Sequence, residues 1–125
     1  MSDELTIEQR VAAGAAWLDE RMPVWVNRID LDRLKLSSGC RCILGQTFGD
    51  YTRAPIAGGL TDDDLWPWPP EYDRAAANLG FQAAEVADSR IRGRVMDLDV
   101  RNRQYEALQA EWTQLILARR GAVPA

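Results

Sequence analysis

Few side chains in this sequence could do chemistry. Two thiols, Cys40 and Cys42, stand one residue apart inside the stretch Ser37 to Tyr51, SSGCRCILGQTFGDY, which also holds Gly39, Gly45 and Gly49. A C-x-C pair can offer two thiolates to a tetrahedral metal or take part in redox chemistry. It is half of a zinc site, and the sequence has no histidine and no second cysteine pair to complete it, so a metal reading needs a second protomer. The missing histidine also removes Ser-His and Cys-His nucleophilic systems and the commonest general base near neutral pH. Carboxylate, thiol or substrate-assisted chemistry is what remains.

The carboxylates Asp62, Asp63 and Asp64, with Asp50, Glu71 and Asp73, could collect a hard cation. They lack the alternating acids, central glycine and terminal glutamate of a calcium loop, and acids after Thr61 equally suit the first turn of a helix. The spacing of Gly39, Gly45 and Gly49 matches neither the P-loop nor the dinucleotide fingerprint. A glycine there reads better as a place where another helix comes close, with Gln46 beside it as a surface or backbone-bonding amide.

Two stretches could face a partner. Arg90, Arg92, Arg94, Arg101 and Arg103 form a locally basic patch able to contact phosphate or an acidic protein, although interleaved Asp88, Asp97 and Asp99 favour pairing within the chain. Trp66 and Trp68 lie among Pro67, Pro69 and Pro70 in an extended segment. They either anchor an interface or fold back over the core as a lid. The candidate partner-binding residues are therefore Trp66, Trp68, Arg90, Arg92 and Arg94. Cys40 and Cys42 are the metal candidates, and no catalytic residue or cofactor is expected.

These residues must be positioned by helices. Cys40, Ile43, Leu44, Thr47, Phe48 and Tyr51 recur at helical spacing, predicting a central helix over 38–50, capped by Ser37 or Ser38 and ended by a left-handed Gly49. On such a helix Cys40 and Cys42 point about 200° apart, with Cys40 in the core and Cys42 packed or half exposed. Thr6 and Gln9 form a capping box before a helix over 7–21. The segment VWVNRIDLDRLKL reads as short helical pieces, with Asp30 capping a turn through Leu34. A helix over 71–79 stops at Gly80 with Phe81 as its apolar follower, and a last helix runs over 102–120, where Arg119 and Arg120 meet the negative helix end. Between 82 and 101 the pattern is divided. Ile91, Val95, Leu98, Asn102 and Tyr105 would extend the last helix backwards, whereas RIRGRV alternates like a strand, and helix or irregular chain is the preferred reading.

At 125 residues and 46% hydrophobic content the chain fits one domain with a core of its own. The expected fold is mainly α, a compact single-domain helical bundle with a long Pro/Trp-rich irregular segment. A net charge of -4 disfavours a general nucleic-acid binder. No apolar run reaches the roughly 18 to 20 residues that cross a bilayer. The start MSDELTIEQR is too acidic and polar for a secretory signal, so the cytoplasm is the expected location.

The pieces AWLDE, P-x-W, IDLDRL, C-x-C-I-L-G-Q and a terminal Y-x-x-L-x-x-x-W resemble small uncharacterised proteins of actinobacteria and their bacteriophages. The resemblance covers most of the chain except about 82–101, where a longer insert departs from the group's spacing. It implies an actinobacterial or phage source, in keeping with Lys35 as the single lysine among 15 basic residues, and it carries no activity or cofactor. The functional expectation is a non-catalytic cytoplasmic interaction or accessory protein, of a kind a phage could direct at a host protein. The alternatives are a metal-binding or redox regulator using Cys40 and Cys42, and weak nucleic-acid contact through Arg90 to Arg103.

Overall fold

The computed structural model describes residues 5–56 and 70–121, so Trp66, Trp68 and the Asp62 to Asp64 run lie outside the described residues. Within them the fold is mainly α. The first helix, α1, spans Ile7–Arg21 and opens with the expected box: Thr6 Oγ1 accepts from Gln9 N at 3.0 Å and Gln9 Oε1 accepts from Thr6 N at 2.9 Å. Its buried stripe is Val11, Gly14, Ala15 and Leu18. A short α2, Trp25–Arg28, follows. The chain then turns at Asp30, whose carboxylate accepts from Asp32 N at 3.1 Å while its carbonyl accepts from Arg33 N. Trp25, Ile29, Leu34 and Leu36 are buried along this wrap.

The central helix is shorter than its sequence pattern. Instead of 38–50, α3 spans Ile43–Phe48, six residues. Residues 37–42 are turns because the Gly39 carbonyl is taken by Tyr51 N at 2.8 Å, which folds the loop back beside the 3₁₀ turn Tyr51–Arg53. Cys42, not a serine, is the cap, its sulfur accepting from Gly45 N at 3.2 Å. A Cβ on Gly45 would lie 2.4 Å from Gly39 O and 2.5 Å from Cys40 C. The missing side chain thus makes room for the chain's own preceding loop, not for another helix. Gly49 does end α3 at positive φ.

Helix α4 spans Pro70–Asn78, α5 spans Ala84–Arg92 and α6 spans Leu98–Gly121. The divided stretch 82–101 therefore resolves into a separate helix, a turn and the start of α6, which begins four residues before the expected 102. Two glycines make the breaks. Gly80 (φ 75°) and Gly93 (φ 63°) take a conformation that costs other residues about 1 kcal/mol or more. At each the following amide reaches back across the helix end, Phe81 N to Ala76 O at 2.9 Å and Arg94 N to Ser89 O at 3.0 Å, satisfying a last-turn carbonyl.

The helices meet at Trp112 on α6. Its indole is fully buried, stacks on Phe81 (centroids 5.5 Å), meets Trp25 edge-on (5.8 Å) and donates from Nε1 to Gly80 O at 2.6 Å. Beside it α1 passes so close to the end of α4 that a Cβ on Gly14 would sit 1.9 Å from Leu79 O and 3.0 Å from Trp112 Cζ2. Both obstacles are backbone or packed ring, and neither can swing away. Gly14→Ala should therefore destabilise by about 3 kcal/mol, at the upper end for overpacking, read as a lower denaturation midpoint. Gly121→Ala, with open space around its Cβ, should leave that midpoint unchanged or raised.

Candidate functional site

The thiols are placed in the opposite sense to the sequence expectation. Cys40 is exposed and Cys42 is buried, because the chain between them is a turn and only Cys42 enters α3. Cys42 Sγ accepts from Gly45 N and donates to Gly39 O at 3.7 Å, so it ties the loop to the helix. Burial pushes its thiol pKa up, against the lowering effect of the backbone donors. A thiol so held is a cap and a poor nucleophile. Among the described residues, no group of three or more His, Cys, Asp or Glu is arranged to hold a metal ion.

The acidic candidates separate as well. Glu71 is exposed at the start of α4, while Asp73 is completely buried. Asp73 pairs with Arg90 of α5 and accepts from the Tyr51 hydroxyl at 2.8 Å. The Gln82 amide lies 3.0 Å from the same hydroxyl. That hydroxyl has one proton, so if Asp73 takes it, Gln82 must present its NH₂ to the oxygen. Burial, with the Asp73 charge beside it, drives the Tyr51 pKa far above that of a free phenol. Tyr72 donates to the carbonyls of Tyr51 (2.5 Å) and Ala54 (3.2 Å). The network spans α4, α5 and the 3₁₀ turn, and sequence spacing carries no sign of it.

The arginine patch is divided by its pairings. Arg90 is committed to Asp73, and Arg94 donates from both terminal nitrogens to Glu85, at 2.6 and 2.8 Å. Asp88 is paired with Arg74 of α4. Arg101 bonds Asn102, and Arg103 bonds the Asp99 carbonyl. Arg92 is exposed and makes no ion pair among the described residues.

Around Arg92 lies the feature that the periodicity concealed. Ile91, Val95 and Leu98 extrapolate as one buried stripe of a continuous helix. Gly93 breaks that helix, and they become a knuckle between α5 and α6 with relative exposures of 49%, 91% and 56%. The knuckle is tied from beneath. Glu85, itself 5% exposed, accepts from Asp97 N at 2.7 Å as well as from Arg94. Asp97 Oδ1 then caps α6, accepting from Asp99 N and Val100 N, both at 3.1 Å. Three apolar side chains and a guanidinium thus stand in water on a backbone that has few ways to relax.

Compared with known protein families, curated proteins and solved structures, the chain matches none. No helix among the described residues is long and apolar enough to cross a membrane.

The Arg94 bonds to Glu85, then the Asp97 amide, hold the Glu85 carboxyl down at about 2, below its ordinary 4.5. A depressed carboxyl contributes stability above its unfolded pKa and loses it as pH falls through the folded value. The unfolding midpoint should therefore drop between about pH 4.5 and 2, and Glu85→Gln should be less stable at pH 7 with a shallower acid limb in that window. For the thiols, iodoacetamide should modify one cysteine of the native protein, Cys40, and both in denaturant, as intact mass would show.

Proposed function

We propose that this protein is a non-catalytic protein-interaction module whose docking surface is the knuckle of Ile91, Arg92, Val95 and Leu98. The observation that carries the reading is that Ile91, Val95 and Leu98 are exposed around a turn clamped by Glu85 and Asp97. A pre-ordered apolar surface loses little conformational entropy on binding, and each aliphatic group buried contributes about 1.5–3 kcal/mol before the costs of association. The partner that fits is a protein with an apolar recess and an acidic rim, the rim meeting Arg92 and the outer face of Arg94, whose side chain keeps 41% exposure. The resemblance to actinobacterial and phage proteins makes a cytoplasmic host protein the proposed partner, with Trp66 and Trp68 as a second contact.

The test compares proteins cross-linked from an actinobacterial lysate by wild type, Val95→Asp/Leu98→Asp, Trp66→Ala/Trp68→Ala, and Leu117→Asp, an exposed control on α6. The knuckle variant should lose a protein that the Leu117 variant keeps, with affinity for the purified partner falling at least about a hundredfold. Equal capture by the knuckle variant and wild type would overturn the docking surface. Sedimentation of the isolated protein identifies the remaining occupant: a dimer dissolved by Val95→Asp would make the partner a second copy.

A further inference from the structure

Arg28, Arg33 and Arg41 come from three separate pieces of chain: the last residue of α2, the turn capped by Asp30, and the loop before α3. They nevertheless line one cavity of about 290 Å³, together with Asp30, Cys40 and Gln46. None of the three guanidiniums makes an ion pair or side-chain hydrogen bond among the described residues. That contrasts with Arg74, Arg90, Arg94 and Arg119, each of which is paired with a carboxylate.

The wall is a built one. Gln46 of α3 reaches across the cavity: its Oε1 accepts from Asp30 N at 2.6 Å, and its Nε2 donates to Asp30 O at 3.2 Å and Arg41 O at 3.0 Å. Lys35 N donates to the Arg41 carbonyl at 3.2 Å. The backbone on both sides is therefore held by one amide side chain, so the loops that carry Arg33 and Arg41 are already ordered without a ligand. The Asp30 carboxylate is turned to its own backbone, accepting from Asp32 N. Three guanidiniums against one carboxylate leave two positive charges unbalanced, the charge of a phosphomonoester dianion above its second pKa near 6. Guanidinium forks match the oxygens of such a group, and the volume of about 290 Å³ falls just below the roughly 300–1,000 Å³ of drug-sized ligand sites, which suits a small anionic group.

We propose that this cavity is a binding site for the phosphomonoester group of a small molecule. Nucleic acid fits less well, because the three arginines line one localised, half-open concavity on a chain of net charge -4, not a stripe that could follow a backbone. The site is separate from the α5–α6 knuckle, so either proposal can fail without the other.

Cys40 reports on it, since the exposed thiol is part of the cavity wall. The experiment measures Cys40 alkylation at pH 7.5 in inorganic phosphate, glycerol 3-phosphate, glycerol, and sodium chloride at matched ionic strength. Phosphate and glycerol 3-phosphate should slow alkylation saturably, while glycerol and chloride do not. Amide chemical shifts should move at 28–33 and 40–46. Arg33→Gln and Arg41→Gln should each weaken the protecting phosphate by about tenfold or more, whereas Arg103→Gln should not. Folding of each variant is checked by its denaturation midpoint, and protection is scored as the rate ratio with and without phosphate. The proposal is overturned if phosphate does no more than chloride, or if protection survives in the Arg28→Gln/Arg33→Gln/Arg41→Gln variant.

Discussion

Trp112 is the interaction on which the rest of the packing depends. Its ring is touched by α2 through Trp25, by the α4–α5 turn through Phe81 and the Gly80 carbonyl, and by α1 where Gly14 leaves room. The indole N–H is the only donor that ring has, and spending it on Gly80 satisfies a carbonyl in the middle of the core. Phe81 continues the cluster to Trp17, which meets Phe48 of α3. One aromatic chain therefore couples α6 to α3 through α1; a side chain at Gly14 would strike the Leu79 carbonyl, and Gly80 is held at positive φ with the α1 backbone 3.0 Å from where a Cβ would lie.

The irregular stretch from about 29 to 42 has no regular element to satisfy its backbone, and side chains from the helices do it instead. Gln109 of α6 accepts from Leu36 N at 3.3 Å and donates to Leu34 O at 2.8 Å, as a neighbouring strand would. Gln46 does the same for Asp30. Gln104 accepts from Glu85 N at 2.8 Å, supplying α5 with the cap that Ala83 lacks, and Arg120 takes the carbonyls of Val26 and Ile29. Buried polar backbone must be paired, so these amides and guanidiniums are what allow an irregular chain to hold a defined cavity and present fixed side chains.

The arginines show how pairing assigns roles. Arg74 of α4, Arg90 of α5 and Arg94 just after α5 pair with Asp88, Asp73 and Glu85 and serve the fold. Arg119 joins Asp19, which also accepts from Trp25 Nε1, and this holds the Asp19 carboxyl below its ordinary range. Arg28, Arg33, Arg41 and Arg92 are left for solvent or a ligand. Along the chain the basic residues concentrate at 90 to 103, but in space carboxylates neutralise Arg90 and Arg94, while Arg28, Arg33 and Arg41 line a cavity with no ion pair among the described residues.

Local chemistry alone determined the ends of α1, the stops at Gly49 and Gly80 and the helical class of the protein, because a capping box, a left-handed glycine and an apolar stripe act within a few residues of themselves. Only tertiary structure decided what the C-x-C stretch is. Its apolar spacing continues a helix back to Cys40, yet the Gly39 carbonyl bonds to Tyr51 and the loop lies against Gly45, which exposes one sulfur and buries the other. The same holds for Ile91, Val95 and Leu98, a core stripe by period and an exposed knuckle in fact, because Gly93 turns the chain and Glu85, eight residues before it, clamps the turn. Periodicity measures which face a residue shares. Which face is covered depends on partners far along the chain, and so does the convergence of Arg28, Arg33 and Arg41.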